Sequence, residues 1–91
     1  VVLVGAGFIG IELAEAFVTR GLDVTLTEME DQVMPGVLDK DIATFFAKHL
    51  RQNGVKLVLG ERVVSMDGNE RVTSVDTDKR RIPADLVILG V

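Results

Sequence analysis

Short apolar runs cut by glycine set the rhythm of the first sixty positions. Val1 to Val4 reads as a strand buried on both faces, and Gly5 to Gly10 as a glycine-rich turn. From Ile11 to Arg20 the apolar residues Leu13, Ala14, Phe17 and Val18 recur at the spacing of one helix face, which predicts a helix. Gly21 is placed to end it in a left-handed conformation. Asp23 to Thr27 predicts a second strand, and a right-handed crossover makes it parallel to the first. Glu28 to Leu38 is an irregular connection with Pro35 and Gly36 as breakers. Asp39 is positioned as the N-cap of a second helix running from Asp41 to Gln52. Its apolar positions include Ile42, Phe45, Phe46 and Leu50, and Asn53-Gly54 ends it. Val55 to Leu59 follows as a third strand.

Beyond Gly60 the pattern changes. Arg62 to Met66, Arg71 to Thr77 and Lys79 to Ile82 are short and alternate apolar with polar, with Asp67-Gly68-Asn69-Glu70 as a hairpin turn. They predict an antiparallel meander inserted between parallel strands, ended by Pro83. Asp85 to Leu89 is a last apolar strand able to return to the middle of the sheet. There is no internal repeat or low-complexity stretch.

Composition narrows the functional classes. At 91 residues the chain supports one small domain. Both ends read as cut, because Val1 opens directly into a strand and only Gly90 and Val91 follow the last one. Residues 1–91 are therefore expected to be a domain excised from a larger protein. A hydrophobic fraction of 47% lies in runs far shorter than the roughly 18 residues of a membrane span. No signal peptide opens the chain, and a cytoplasmic location is expected. Net charge is −4, from 14 acidic and 10 basic residues, which argues against a nucleic-acid partner. The basic run Lys79-Arg80-Arg81 reads as a solvated turn beside Asp76 and Asp78. With no cysteine there is no disulfide, thiolate metal site or dithiol centre, and a single histidine, His49, on a helix gives no metal-ligand cluster.

The candidate chemistry lies in Gly5-x-Gly7-x-x-Gly10. Gly5 permits the tight turn out of the strand, Gly7 lets a pyrophosphate approach the backbone, and Gly10 lets the helix pack closely on the strand. Free amides at the helix start then face phosphate oxygens, and the helix dipole favours their charge. The motif alone is weak, but here a strand precedes it and a helix and second strand follow. Glu28 ends that second strand, roughly 20 residues on, where a carboxylate accepts hydrogen bonds from ribose hydroxyls. The expectation is a Rossmann-like α/β fold in three layers: a parallel sheet, flanking helices and the meander insertion. Its ligand is a dinucleotide. A carboxylate at Glu28 repels the 2′-phosphate of NADPH and binds the hydroxyl of NADH. The next residues, Met29, Glu30 and Asp31, are not basic, so no cation is expected near such a phosphate. FAD also carries a free ribose hydroxyl, and Glu28 does not exclude it.

The run Gly5-Ala6-Gly7-Phe8-Ile9-Gly10-Ile11-Glu12-Leu13-Ala14 resembles the NAD-binding domain of the pyridine nucleotide–disulfide oxidoreductases, a family that includes NADH oxidases and CoA-disulfide reductases. The resemblance extends through Asp23-Val-Thr-Leu-Thr-Glu28, Asn53-Gly-Val55, the meander and Ala84-Asp-Leu-Val-Ile-Leu-Gly-Val91. Met34-Pro35 followed by Asp41, with the short meander, is most similar to the NADH oxidase and CoA-disulfide reductase branch. The resemblance implies a flavoprotein oxidoreductase in which this domain holds NADH for hydride transfer to an FAD in a separate domain of the same polypeptide. The electrons then pass to a disulfide, oxygen, peroxide or other acceptor. It implies that Gly5, Gly7 and Gly10 lie by the pyrophosphate, Ile9 by the pyrophosphate and nicotinamide ribose, and Glu28 by the adenosine ribose, with Ala6, Phe8 and Met29 also among the cofactor-binding residues. Glu12 and Gly90 would face the nicotinamide, and Val63 the adenine. The family's redox cysteines lie in the FAD domain, so no catalytic residue is assigned in this chain. A homodimer built largely by a further domain is also implied.

Two other readings stay open at this point: an FAD-binding domain of the same family, and a stand-alone NADH-sensing module. Extended short-chain dehydrogenases also contain Gly-Phe-Ile-Gly, but their GxxGxxG spacing needs glycine where Val4 stands, and the chain has no tyrosine for their catalytic pair.

Overall fold

The computed structural model describes residues 1–90; Val91, the last residue of the closing apolar run, lies outside them. Strands β1 (Val2–Val4), β2 (Thr25–Glu28), β3 (Lys56–Leu59) and β7 (Val87–Leu89) form a parallel sheet in the order β3-β2-β1-β7. Helix α1 (Phe8–Thr19) joins β1 to β2, and α2 (Lys40–Gln52) joins β2 to β3. Strands β4 (Val63–Gly68), β5 (Val72–Thr77) and β6 (Arg81–Pro83) form the antiparallel meander.

Two cores occupy the two faces of the parallel sheet. On one face Leu3, Leu26 and Leu57 pack with Ile11 and Ala14 of α1 and with Ala43, Ala47 and Leu50 of α2. On the other face Val2 packs with Val75 and Ile82 of the meander and with Ala84. Three layers result: helices, parallel sheet, meander. The handedness of crossovers accounts for this division. The chain steps one way across the sheet from β1 to β3, then reverses to reach β7. A right-handed connection after a reversal must cross the opposite face.

Local sequence sets the element ends. Gly21 has φ +84°, its amide donates to Val18 O at 2.9 Å, and Leu22 N–H donates to Phe17 O at 3.0 Å. This pair of bonds closes α1 as a Schellman motif. The helix begins at Phe8, earlier than expected, because Gly7 O already accepts the Ile11 amide at 3.0 Å. Glu12 therefore sits in the second turn. Asp39 is the N-cap residue of α2, but its side chain makes no capping bond.

The structure refines the reading of α2 and of the meander. Ile42 and Phe45 are exposed, at 53% and 75%, while Ala43, Ala47 and Leu50 face the core with Phe46 packed against it. Small residues line the buried stripe where α2 approaches the sheet; Ile42 lies about a quarter-turn to one side of it and Phe45 on the opposite face of the helix. The meander turn falls after Gly68, because β4 runs through Asp67 and Gly68 to pair with β5. Pro83 ends the meander as expected: it closes β6, paired with Ser74, on an edge where its missing amide costs no ladder bond. The basic run is also more than a solvated turn. Arg80 pairs with Glu61 at 2.7 Å, and Arg81 pairs with Asp67 at 2.7 Å and Asp76 at 2.8 Å.

Candidate nucleotide-binding site

The carboxyl ends of β1 and β2 open on a cleft of about 460 Å³, within the usual size of small-molecule sites. It lies where the strand order reverses, with β2 on one side of β1 and β7 on the other. Open parallel sheets bind ligands at this switch point, because the loops leaving the two sides diverge and leave a crevice.

The glycine turn forms its floor. Gly5 N–H donates to Thr27 O at 2.8 Å, tying the exit of β1 to β2. Gly7, the N-cap of α1, has no side chain to cap the first-turn amides. Those amides have no partner within the helix and are available to an anion. A Cβ built on Gly7 would meet no heavy atom within 4 Å, so the space above it is open to a ligand. Gly10 has the opposite surroundings. A Cβ there would lie 2.1 Å from Gly5 O, so its hydrogen is what lets α1 approach the turn itself.

Glu28, the last residue of β2, is buried at 8% exposure and lines the cleft. One carboxylate oxygen accepts the Ala6 amide at 2.9 Å and the other accepts the Glu30 amide at 2.9 Å. A carboxylate has about four lone-pair sites, so each oxygen can still accept a ligand hydroxyl. Ala6 is fully buried, and its carbonyl accepts the Met34 amide at 2.8 Å. Both backbone groups of Ala6 therefore fasten the glycine turn to the segment after β2. Within that segment Met34 holds φ +46°, a left-handed conformation uncommon outside glycine.

Of the residues expected at the site, Gly5, Gly7, Phe8, Glu28, Met29, Val63 and Gly90 line this one cleft. Ala6 and Gly10 are buried behind it and shape the turn, while Ile9 and Glu12 are exposed on α1 outside the cleft lining. The sequence reading missed Met34, Pro35 and Val37 on one wall and Glu61 and Arg62 on the other. The signal available for the second pair was their position, directly after a parallel strand and its glycine. Gly60 N–H donates to Glu30 O at 2.8 Å and Glu61 N–H to Glu28 O at 3.2 Å, which fixes that loop beside the end of β2. Arg62 is the cation that lines the same cleft as Glu28. Glu61 is 4% exposed, and its carboxylate is taken up by Arg80 and by the Thr77 hydroxyl at 2.8 Å.

Among the described residues no cluster of His, Cys, Asp and Glu could hold a metal ion, and no helix is long and apolar enough to cross a membrane.

Comparison with known proteins gives the same answer by three routes. The model of the pyridine nucleotide-disulphide oxidoreductase family matches residues 1–80. An NADH oxidase of Streptococcus pyogenes is 42% identical over 91 residues, covering 100% of this chain and 20% of that protein. Among solved structures, an FAD-dependent pyridine nucleotide-disulphide oxidoreductase from Desulfovibrio vulgaris superposes with a TM-score of 0.96 at 42% identity, over 99% of this chain and 23% of that one. A water-forming NADH oxidase from Lactobacillus brevis, bound to NADH, superposes with a TM-score of 0.88 at 41% identity, over 96% of this chain and 19% of that one. The chain thus spans about a fifth of the length of the curated relatives it matches. Its glycine turn, its parallel sheet with a meander insertion and these matches establish that the chain belongs to the pyridine nucleotide-disulphide oxidoreductase family.

Proposed function

We propose that this chain is the NADH-binding domain of an FAD-dependent oxidoreductase, and that its cleft presents NADH to a flavin held by a separate domain of the same polypeptide. One observation carries the reading. A buried carboxylate at the end of β2 and an unobstructed glycine at the start of α1 face a single cleft. The first suits ribose hydroxyls and the second a pyrophosphate, at the two places where a dinucleotide needs them.

Each group has a physical task. The first-turn amides of α1 and the positive end of its dipole hold phosphate oxygens. Glu28 accepts ribose hydroxyls while its amide partners keep the carboxylate oriented. Val63, Met29 and Val37 supply apolar surface for the adenine, and Gly90 leaves the far end open toward a partner domain. NADH when bound supplies the hydride; no residue of this chain is assigned a chemical step. The relatives that are NADH oxidases, and the Lactobacillus brevis enzyme bound to NADH, support this reading.

Calorimetric titration with NADH and FAD in parallel tests the assignment. Saturable binding of NADH at this cleft, lost in Gly7→Val, is the expected result. Binding of FAD instead moves the chain to the flavin-binding role, and binding of neither removes the dinucleotide reading.

A further inference from the structure

We infer that Arg62 is a specificity-determining residue, a cation that accommodates a 2′-phosphate on the adenosine ribose and so limits the discrimination by Glu28 in favour of NADH. The inference rests on the reading of this cleft as the dinucleotide site.

The charges lining the cleft decide the matter. They are Glu28, Glu61 and Arg62. Glu61 is already paired with Arg80 at 2.7 Å and contributes little net field. Glu28 remains, opposed by Arg62. Among the described residues no carboxylate lies within ion-pair distance of the Arg62 guanidinium. Its backbone, in contrast, is held on both sides. Its amide donates to Asp78 Oδ1 at 3.0 Å and its carbonyl accepts the Asp78 amide at 2.9 Å. A fixed Cα thus carries an exposed guanidinium, free of ion pairs among the described residues, in the lining of the cleft that Glu28 also faces.

The position selects which anion it serves. Pyrophosphate belongs over Gly7 and the start of α1. The loop bearing Arg62 is bonded instead to the backbone of Glu28 and Glu30, at the ribose end. The anion that a dinucleotide can present there is the 2′-phosphate. A guanidinium matches a phosphate with paired N–H donors, whereas a ribose hydroxyl draws little from it.

The experiment titrates the full-length natural polypeptide carrying this sequence with NADH and, separately, NADPH, following binding by nucleotide fluorescence at low and high salt. In Arg62→Ala the affinity for NADPH is expected to fall about three- to tenfold, as for an exposed ion pair strengthened by a multiply charged partner. The affinity for NADH should stay within about twofold on the same scale. Arg62→Lys should retain most NADPH binding, and the difference should shrink at high salt. Circular dichroism checks that the variants are folded. Unchanged NADPH affinity in Arg62→Ala, an equal loss for both nucleotides, or a wild-type protein that binds NADH but not NADPH each overturns the inference. Binding of neither nucleotide to the wild type removes the reading of the cleft itself, and the inference with it.

Discussion

The carboxylate of Glu28 accepts the amide proton of Ala6 at 2.9 Å, across a separation of 22 residues. The residue expected to read the ribose is therefore also the residue that holds the glycine turn in place. On the proposed function specificity and fold share one side chain, and substitutions at Glu28 are expected to act on both.

Glu28→Gln keeps the shape but replaces one acceptor oxygen by a donor, which then faces an amide donor in a buried setting. The expected loss of stability is about 1–3 kcal/mol, with weaker NADH binding. Glu28→Arg, the direct way to favour NADPH, removes both buried bonds and places a cation among amide donors. It should lower the melting temperature further than Glu28→Gln while narrowing or inverting the preference for NADH. Thermal melts of both variants, with titrations of the two nucleotides, check this. A Glu28→Arg protein as stable as the wild type would show that the Ala6 contact contributes little to the fold.

Gly7 and Gly10 should separate binding from folding. At Gly7 the backbone has φ −82° and ψ −169°, extended and open to any residue, with free space where Cβ would sit. Gly7→Val is expected to fold normally and bind no NADH. Gly10→Ala forces a methyl against a carbonyl 2.1 Å away and should cost about 1–3 kcal/mol or more. Chemical denaturation of the two proteins beside NADH titration distinguishes the effects. Equal stability losses would contradict the difference in surroundings.

Asp76 supplies a pH test in the meander. The Arg81 guanidinium, donating Nε–H to Oδ1 at 2.8 Å, holds the Asp76 carboxyl below the ordinary value of 3.8. Partial burial opposes the shift, and the charge of Arg81 adds to it. A carboxyl with a lowered folded-state pKa contributes stability that is present above its unfolded value and is lost as pH falls through the folded value. The pair should therefore be intact at neutral pH and fail only in acid. Carbon-13 titration of Asp76 should show a midpoint that moves upward in Arg81→Ala. An unmoved midpoint would remove Arg81 as the cause.

Met34 is left-handed at φ +46°, with its amide bonded to Ala6 O. Met34→Val places a β-branched residue in that conformation and is expected to cost about 2 kcal/mol. Met34→Gly relieves the backbone but loses apolar packing, so its net effect should be smaller, within about 1 kcal/mol. Denaturation midpoints ranked Val below Gly support this; the reverse order would mean that packing, not backbone conformation, governs the site.

The strand, glycine turn, helix and second strand were legible because each depends on near neighbours: apolar runs, helical spacing and glycine at fixed offsets. So was the position of Glu28 at the end of β2, at a set distance along the chain from the glycines. The buried face of α2 was not. Hydrophobicity favoured Ile42 and Phe45, yet the close approach of helix to sheet selects Ala43 and Ala47, a matter of space that composition does not encode. Arg62 was hidden for another reason. Its place in the cleft depends on the Glu61–Glu28 backbone bond between segments that are remote in sequence.

The cleft has walls of unequal ancestry in the folding energetics. Its floor and the Glu28 wall belong to the large helix-side core, whereas Val63 belongs to the small core under the meander. Amide hydrogens of β4 and β5 should then exchange through local openings that leave the glycine turn closed. A dinucleotide touching both walls would couple these units. It would slow exchange in the meander as well as at its own contacts and make two loosely joined halves open as one.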